Sequence, residues 1–144
     1  MKLITILLMT FFLGKGCEAQ QKQDLKTAIV EYTANTRGFY QKIIVQNKSV
    51  SVSKDRNGND KPQPIAISKA DWKALIVDFQ KINLEGIPNL KSPTQKRFYD
   101  GAAIANLKIT FKGKIYETNG FDHGHPPAEI AKLVNKINTF AKKE

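Results

Sequence analysis

Apolar and polar positions alternate along residues 39–54, FYQKIIVQNKSVSVSK, and the alternation is interrupted at Asn47-Lys48. A period of two marks a half-buried strand, and Asn tolerates the positive φ that a two-residue reversal requires. The segment predicts a hairpin in which Val45 faces Val50 and Ile43 faces Val52, with Lys42, Ser51 and Ser53 on the opposite side. A second alternation spans 103–120, where Leu107, Ile109 and Phe111 interleave with Lys108, Thr110 and Lys112. Its turn admits two registers. A Gly113-Lys114 loop sets Phe111 opposite Tyr116, whereas a Lys112-Gly113 loop sets Ile109 opposite Tyr116 and Lys108 opposite Glu117. The aromatic pair favours the first.

The period changes to that of a helix after each hairpin. Ser68 suits an N-cap with Asp71 three residues on, and Trp72, Leu75, Ile76, Phe79 and Ile82 recur on one face before Gly86 and Pro88. Behind Pro126-Pro127 and Glu129, the residues Ile130, Leu133, Val134, Ile137 and Phe140 repeat the same offsets, and Lys136, Lys142 and Lys143 suit the far end of the helix dipole. Residues 27–33, TAIVEYT, predict a further strand with Ala28, Val30 and Tyr32 on one face; a helix through Leu25, Ile29 and Tyr32 is the alternative. The expected fold is α+β, with an antiparallel sheet of about five strands, two helices on one face, and a hairpin-helix unit occurring twice. An ancestral duplication would account for the two units; ordinary amphipathic spacing is the competing explanation.

Composition agrees with one globular domain: 144 residues, 41% hydrophobic and 25% charged. The first thirteen residues change the picture of destination. Lys2 precedes an apolar run from Leu3 to Leu13, interrupted only by Thr5 and Thr10, too short for a membrane span and followed by Lys15, so residues 1–19 read as a signal peptide and 20–144 as the mature domain. Cleavage after Ala19 uses small residues at Cys17 and Ala19. The competing route lipidates Cys17, as in bacterial lipoproteins, and makes that lipid the protein's one attachment to a membrane. A single Cys cannot pair within the chain, so no disulfide framework is expected. The expected location is periplasmic or secreted, or lipid-anchored in the cell envelope.

The formal charge is +10, which favours anionic partners. The lysines are scattered rather than clustered, and export makes nucleic acid an improbable partner. Residues 54–64, KDRNGNDKPQP, look superficially like a calcium loop, but the glycine falls at the fourth position and Ala66 stands where a bidentate Glu belongs, so a solvated turn is expected. Gly-x-Ser-x-Gly and His-Glu-x-x-His are both absent.

The long connection 83–101 holds Lys91, Lys96, Arg97, Phe98, Tyr99 and Asp100, a basic and aromatic mixture suited to an anionic ligand. One of Phe98 and Tyr99 is expected to anchor the loop and the other to face solvent. The segment FDHGHPP contains both histidines, His123 and His125, beside Asp122. His-x-His in extended chain would aim two imidazoles one way, as a metal site requires, although a third ligand from Asp122 or Asp100 would be needed. Because the two ends of a hairpin opposite its turn lie together, the 97–101 and 120–126 loops should be neighbours. Arg97, Tyr99, Asp100, Asp122, His123 and His125 are therefore the candidate ligand-binding set, with His123 and His125 as the weaker metal candidates and Cys17 as the lipidation candidate. No catalytic residue and no cofactor are assigned, and no oligomeric state is specified.

With the export start, TRGFYQK, KRFYDGAAIANLKITFKGKIYE, FDHG and PPAEIAKLVNKI in view, the chain resembles small exported proteins of unknown function from Gram-negative bacteria. That likeness implies a cell-envelope or secreted setting. The paired hairpin-helix units also look like PepSY-like and β-lactamase-inhibitor-like modules, which bind other proteins. The expectation is a non-enzymatic exported domain that binds a protein or an anionic envelope component. The alternative is a metal-binding protein or hydrolase using Asp100, Asp122, His123 and His125. Adhesion to acidic surfaces is a third reading and predicts salt-sensitive binding.

Overall fold

The computed structural model describes residues 23–142, so the export segment, Cys17 and Lys143 lie outside the described residues. Seven antiparallel strands make one sheet: β1 (Ile29–Thr36), β2 (Phe39–Gln46), β3 (Ser49–Ser53), β4 (Ile65–Ala66), β5 (Ile104–Phe111), β6 (Lys114–Glu117) and β7 (Phe121–Asp122). Their order is β4-β3-β2-β1-β5-β6, and β7 pairs with β5 beyond the end of β6. The two strands beyond the expected five are β4 and β7. Each is two residues long, too short to show a periodicity in the sequence. β1 begins two residues later than expected, with Val30 and Tyr32 on the buried face.

The first hairpin has the expected register, Val45↔Val50 and Ile43↔Val52, around Asn47 and Lys48 at φ 48 and 59. The second takes the other of its two registers. Ile109 faces Tyr116 and Lys108 faces Glu117, with Lys112 and Gly113 at φ 50 and 74. The two registers differ by two residues and bury the same faces, so hydrophobic pattern could not separate them. The turn decides: positive φ at both loop positions matches the twist of the flanking strands, and Gly supplies the second one freely. Phe111 then meets Phe79 edge-on at 6.2 Å instead of pairing with Tyr116.

Both helices, α1 (Lys69–Gln80) and α2 (Ala131–Phe140), cover one face. Ser68 caps α1 by accepting from Asp71 N, and Trp72, Leu75 and Phe79 are buried beneath it. α2 follows a 3-10 turn at Ala128–Ile130 and buries Leu133, Val134 and Ile137. Lys136 Nζ reaches Asp71 Oδ1 at 2.6 Å and joins the helices. On the uncovered face Glu31 sits between Lys42 and Lys108, 3.7 Å from each, the arrangement of a solvated surface. No helix among the described residues is long and apolar enough to cross a membrane.

A hairpin followed by a helix does occur twice, yet the two units are of opposite hand. β2 and β5 both run antiparallel to β1 and hence parallel to each other, while β3 and β6 lie on opposite outer sides. With both helices on one face, no rotation superposes the units. The shared helix offsets are those of amphipathic spacing.

Candidate functional site

Asp122 organises the far end of β7. The pleat turns its neighbour Phe121 into the core and aims Asp122 at the face away from the helices, where the 92–97 segment covers it completely (0% exposed). Its Oδ2 accepts from Thr94 Oγ1 at 2.5 Å and Lys96 N at 2.6 Å, and its Oδ1 accepts from Arg97 N at 3.0 Å and the Arg97 guanidinium at 3.1 Å. The same guanidinium donates to Ser92 Oγ and Thr94 O. Burial alone would raise the Asp122 pKa. The donors from Thr94, the Lys96 and Arg97 backbone and the Arg97 side chain outweigh it and hold the carboxyl below the usual carboxylate range.

The two loops are thus neighbours, as hairpin geometry requires, and the six candidates divide between different tasks. Arg97 is largely buried, with its side chain 13% exposed, and its charge answers Asp122. Asp100 ends the 3-10 turn Lys96–Tyr99 in the left-handed region at φ 58 and is exposed. Neither aromatic anchors the loop: Phe98 is 74% exposed and Tyr99 71%. The anchoring expected of a ring is supplied by the Asp122 carboxylate and its donors. The Arg97 guanidinium stacks beneath Phe98, 4.4 Å from the ring centre. Ile104, half exposed, and Arg97 both flank Gly120, so the apolar surface continues from Phe98 across Arg97 to Ile104.

His123 and His125 serve different neighbours. Residues 122–125 are a tight turn, closed by His125 N donating to Asp122 O and passing through Gly124 at φ 89, rather than an extended strand. His125 is exposed, with Nε2 3.5 Å from Lys96 Nζ. His123 turns to the helix side, with Nδ1 2.6 Å from the Tyr32 hydroxyl and its ring 5.5 Å from that of Phe39. Among the described residues no three His, Cys, Asp or Glu side chains are grouped to hold a metal ion. In the 54–61 turn the carboxylates bind their own backbone. Asp55 accepts from Asn57 N and Asn59 N, and Asp60 from Lys54 N and the Ser53 hydroxyl. Those two donors, Lys54 N first, lower the Asp60 pKa.

A polar cluster that sequence reasoning missed lies under α2. Gln41 Nε2 donates to Asn138 Oδ1 at 2.9 Å, and the Asn138 amide donates to Val134 O. Tyr32 is fully buried, which raises its pKa, and its hydroxyl shares a hydrogen bond with His123 Nδ1 at 2.6 Å. Burial, and then the Lys142 charge, lower the His123 pKa and favour the neutral ring. The signal for this cluster was Tyr32 itself: a Tyr on a buried face needs a partner for its hydroxyl. Tyr32→Phe removes the hydroxyl that meets His123 Nδ1 and leaves that half-buried ring nitrogen unanswered. It is expected to cost about 1–3 kcal/mol in urea denaturation and to shift the His123 tautomer equilibrium in nitrogen NMR spectra. A loss under a few tenths of a kcal/mol with an unchanged tautomer equilibrium would contradict the contact as described.

Comparison with known protein families, curated proteins and solved structures finds no match for this chain.

Proposed function

We propose that the chain is a non-enzymatic binding domain of the cell envelope that recognises a protein partner through the 97–101 loop and the adjoining 121–126 turn. The observation that carries this reading is the pair Phe98 and Tyr99, both more than two-thirds exposed on a loop that is pinned in place. Two aromatic rings in water are unfavourable for the isolated domain, and fixing their loop through Asp122 and Arg97 lowers the ordering cost of docking them. Aromatic anchors beside an arginine are also the composition of interface hot spots. Because the Arg97 charge is answered by Asp122, the surface favours apolar docking over capture of an anion. The same use of the Asp122 lone pairs weighs against a hydrolytic or metal-binding role for this cluster.

The test is affinity capture from envelope extracts of the native host, followed by direct binding of the recovered partner. A Phe98→Ala/Tyr99→Ala variant is expected to bind it at least roughly thirtyfold more weakly. Val77→Ala, an exposed apolar position on α1, should bind as wild type does. Equal affinity of wild type and the double variant would refute the surface.

A further inference from the structure

The polar cluster beneath α2 ends at a cavity on the helix side of the sheet, separate from the Phe98 and Tyr99 surface. It has a volume of about 420 Å³, and its lining includes Gln41, His123, Asn135, Asn138, Thr139 and Lys142. Three features make it a built site. The first is position: the Tyr32 hydroxyl engages His123 Nδ1 at 2.6 Å, which leaves Nε2 as the ring nitrogen with no protein partner among the described residues. The second is burial: Gln41 is only 7% exposed, and its carbonyl oxygen has no protein partner among the described residues. The third is charge, since Lys142 supplies an ammonium and, among the described residues, no carboxylate lines the cavity.

The cavity adjoins the C-terminal end of α2, whose dipole opposes an anion and which the Lys142 ammonium outweighs in this proposal; local hydrogen bonds take up part of it. Asn138 Nδ2 binds Val134 O, Thr139 Oγ1 binds Lys136 O, and the N–H groups of Ala141 and Lys142 bind Asn138 O and Thr139 O. The carboxamides of Gln41 and Asn135 offer both donors and acceptors, which suits hydroxyl groups. Phe39 packs against His123 with ring centres 5.5 Å apart.

We propose that this cavity binds a small hydroxylated monocarboxylate of the sugar-acid class. The carboxylate would take the Lys142 ammonium and the His123 Nε2–H, and its hydroxyls the Gln41 and Asn135 amides. This proposal does not depend on Phe98 or Tyr99, although the cavity takes His123 from the 121–126 turn.

The experiment titrates the purified protein, labelled with nitrogen-15 at histidine, with glucuronate and in parallel with glucose. Glucuronate is expected to move the His123 resonances saturably while Nε2 carries the proton, and glucose to bind at least tenfold more weakly. Lys142→Met, at an exposed position, should weaken glucuronate binding about tenfold to a hundredfold, the range of a lost charge-assisted hydrogen bond. The proposal is overturned if glucuronate leaves His123 unmoved up to tens of millimolar, if glucose binds equally well, or if Lys142→Met binds as wild type does.

Discussion

Asp122→Asn is expected to destabilise the domain by about 3–5 kcal/mol, the range for removing one partner of a buried ion pair. The carboxylate is inaccessible and accepts from four donors, and the substitution turns one acceptor oxygen into an NH₂ that points at donors. Arg97, largely buried, is left without its counter-charge. Urea denaturation measures the loss, and amide exchange at Lys96 and Arg97 shows where it falls. The same contacts set a pH dependence. The folded-state pKa of Asp122 lies below its unfolded value, so its contribution is complete above about pH 4 and is lost as pH falls through the lower folded value. His123, with a depressed pKa, acts in the same direction: its contribution is complete above about pH 6.5 and declines as pH falls through the lower folded value. Wild type should therefore lose stability on acidification more steeply than Asp122→Asn does. A cost below about 1 kcal/mol with unchanged exchange at residues 96 and 97 would show that the loop is held by something else.

Long periodic segments of the chain made most of this frame legible. The 39–54 alternation specifies its own partner register, and Ser68 with the Trp72, Leu75 and Phe79 spacing specifies α1. Where two arrangements buried the same side chains, as at Gly113, the pattern was silent and turn geometry decided. The candidate loops were brought together correctly because hairpin ends must meet. What their side chains do there was not legible, because it depends on contacts between distant positions. Arg97 and Asp122 are 25 residues apart, and Tyr32 and His123 are 91 apart. A sequence shows charge at Arg97 but not whether the charge is answered. It also shows no difference between Phe98 and a core phenylalanine.

That difference is the second measurement. Phe79→Ala is expected to cost about 3–5 kcal/mol, since the ring is fully buried and deletion leaves a cavity against Phe111 as well as losing the transfer free energy. Phe98→Ala should cost about 1 kcal/mol or less, chiefly its stacking on Arg97, and Tyr99→Ala still less. Denaturation of the three variants side by side separates a ring that holds the fold from rings whose apolar surface the fold leaves in water. A cost at Phe98 or Tyr99 comparable to that at Phe79 would mean that they are anchors after all, and the argument that they are displayed for a partner would lose its footing. If the two groups separate as expected, stability does not account for aromatic rings at 98 and 99, and binding is the role left for them.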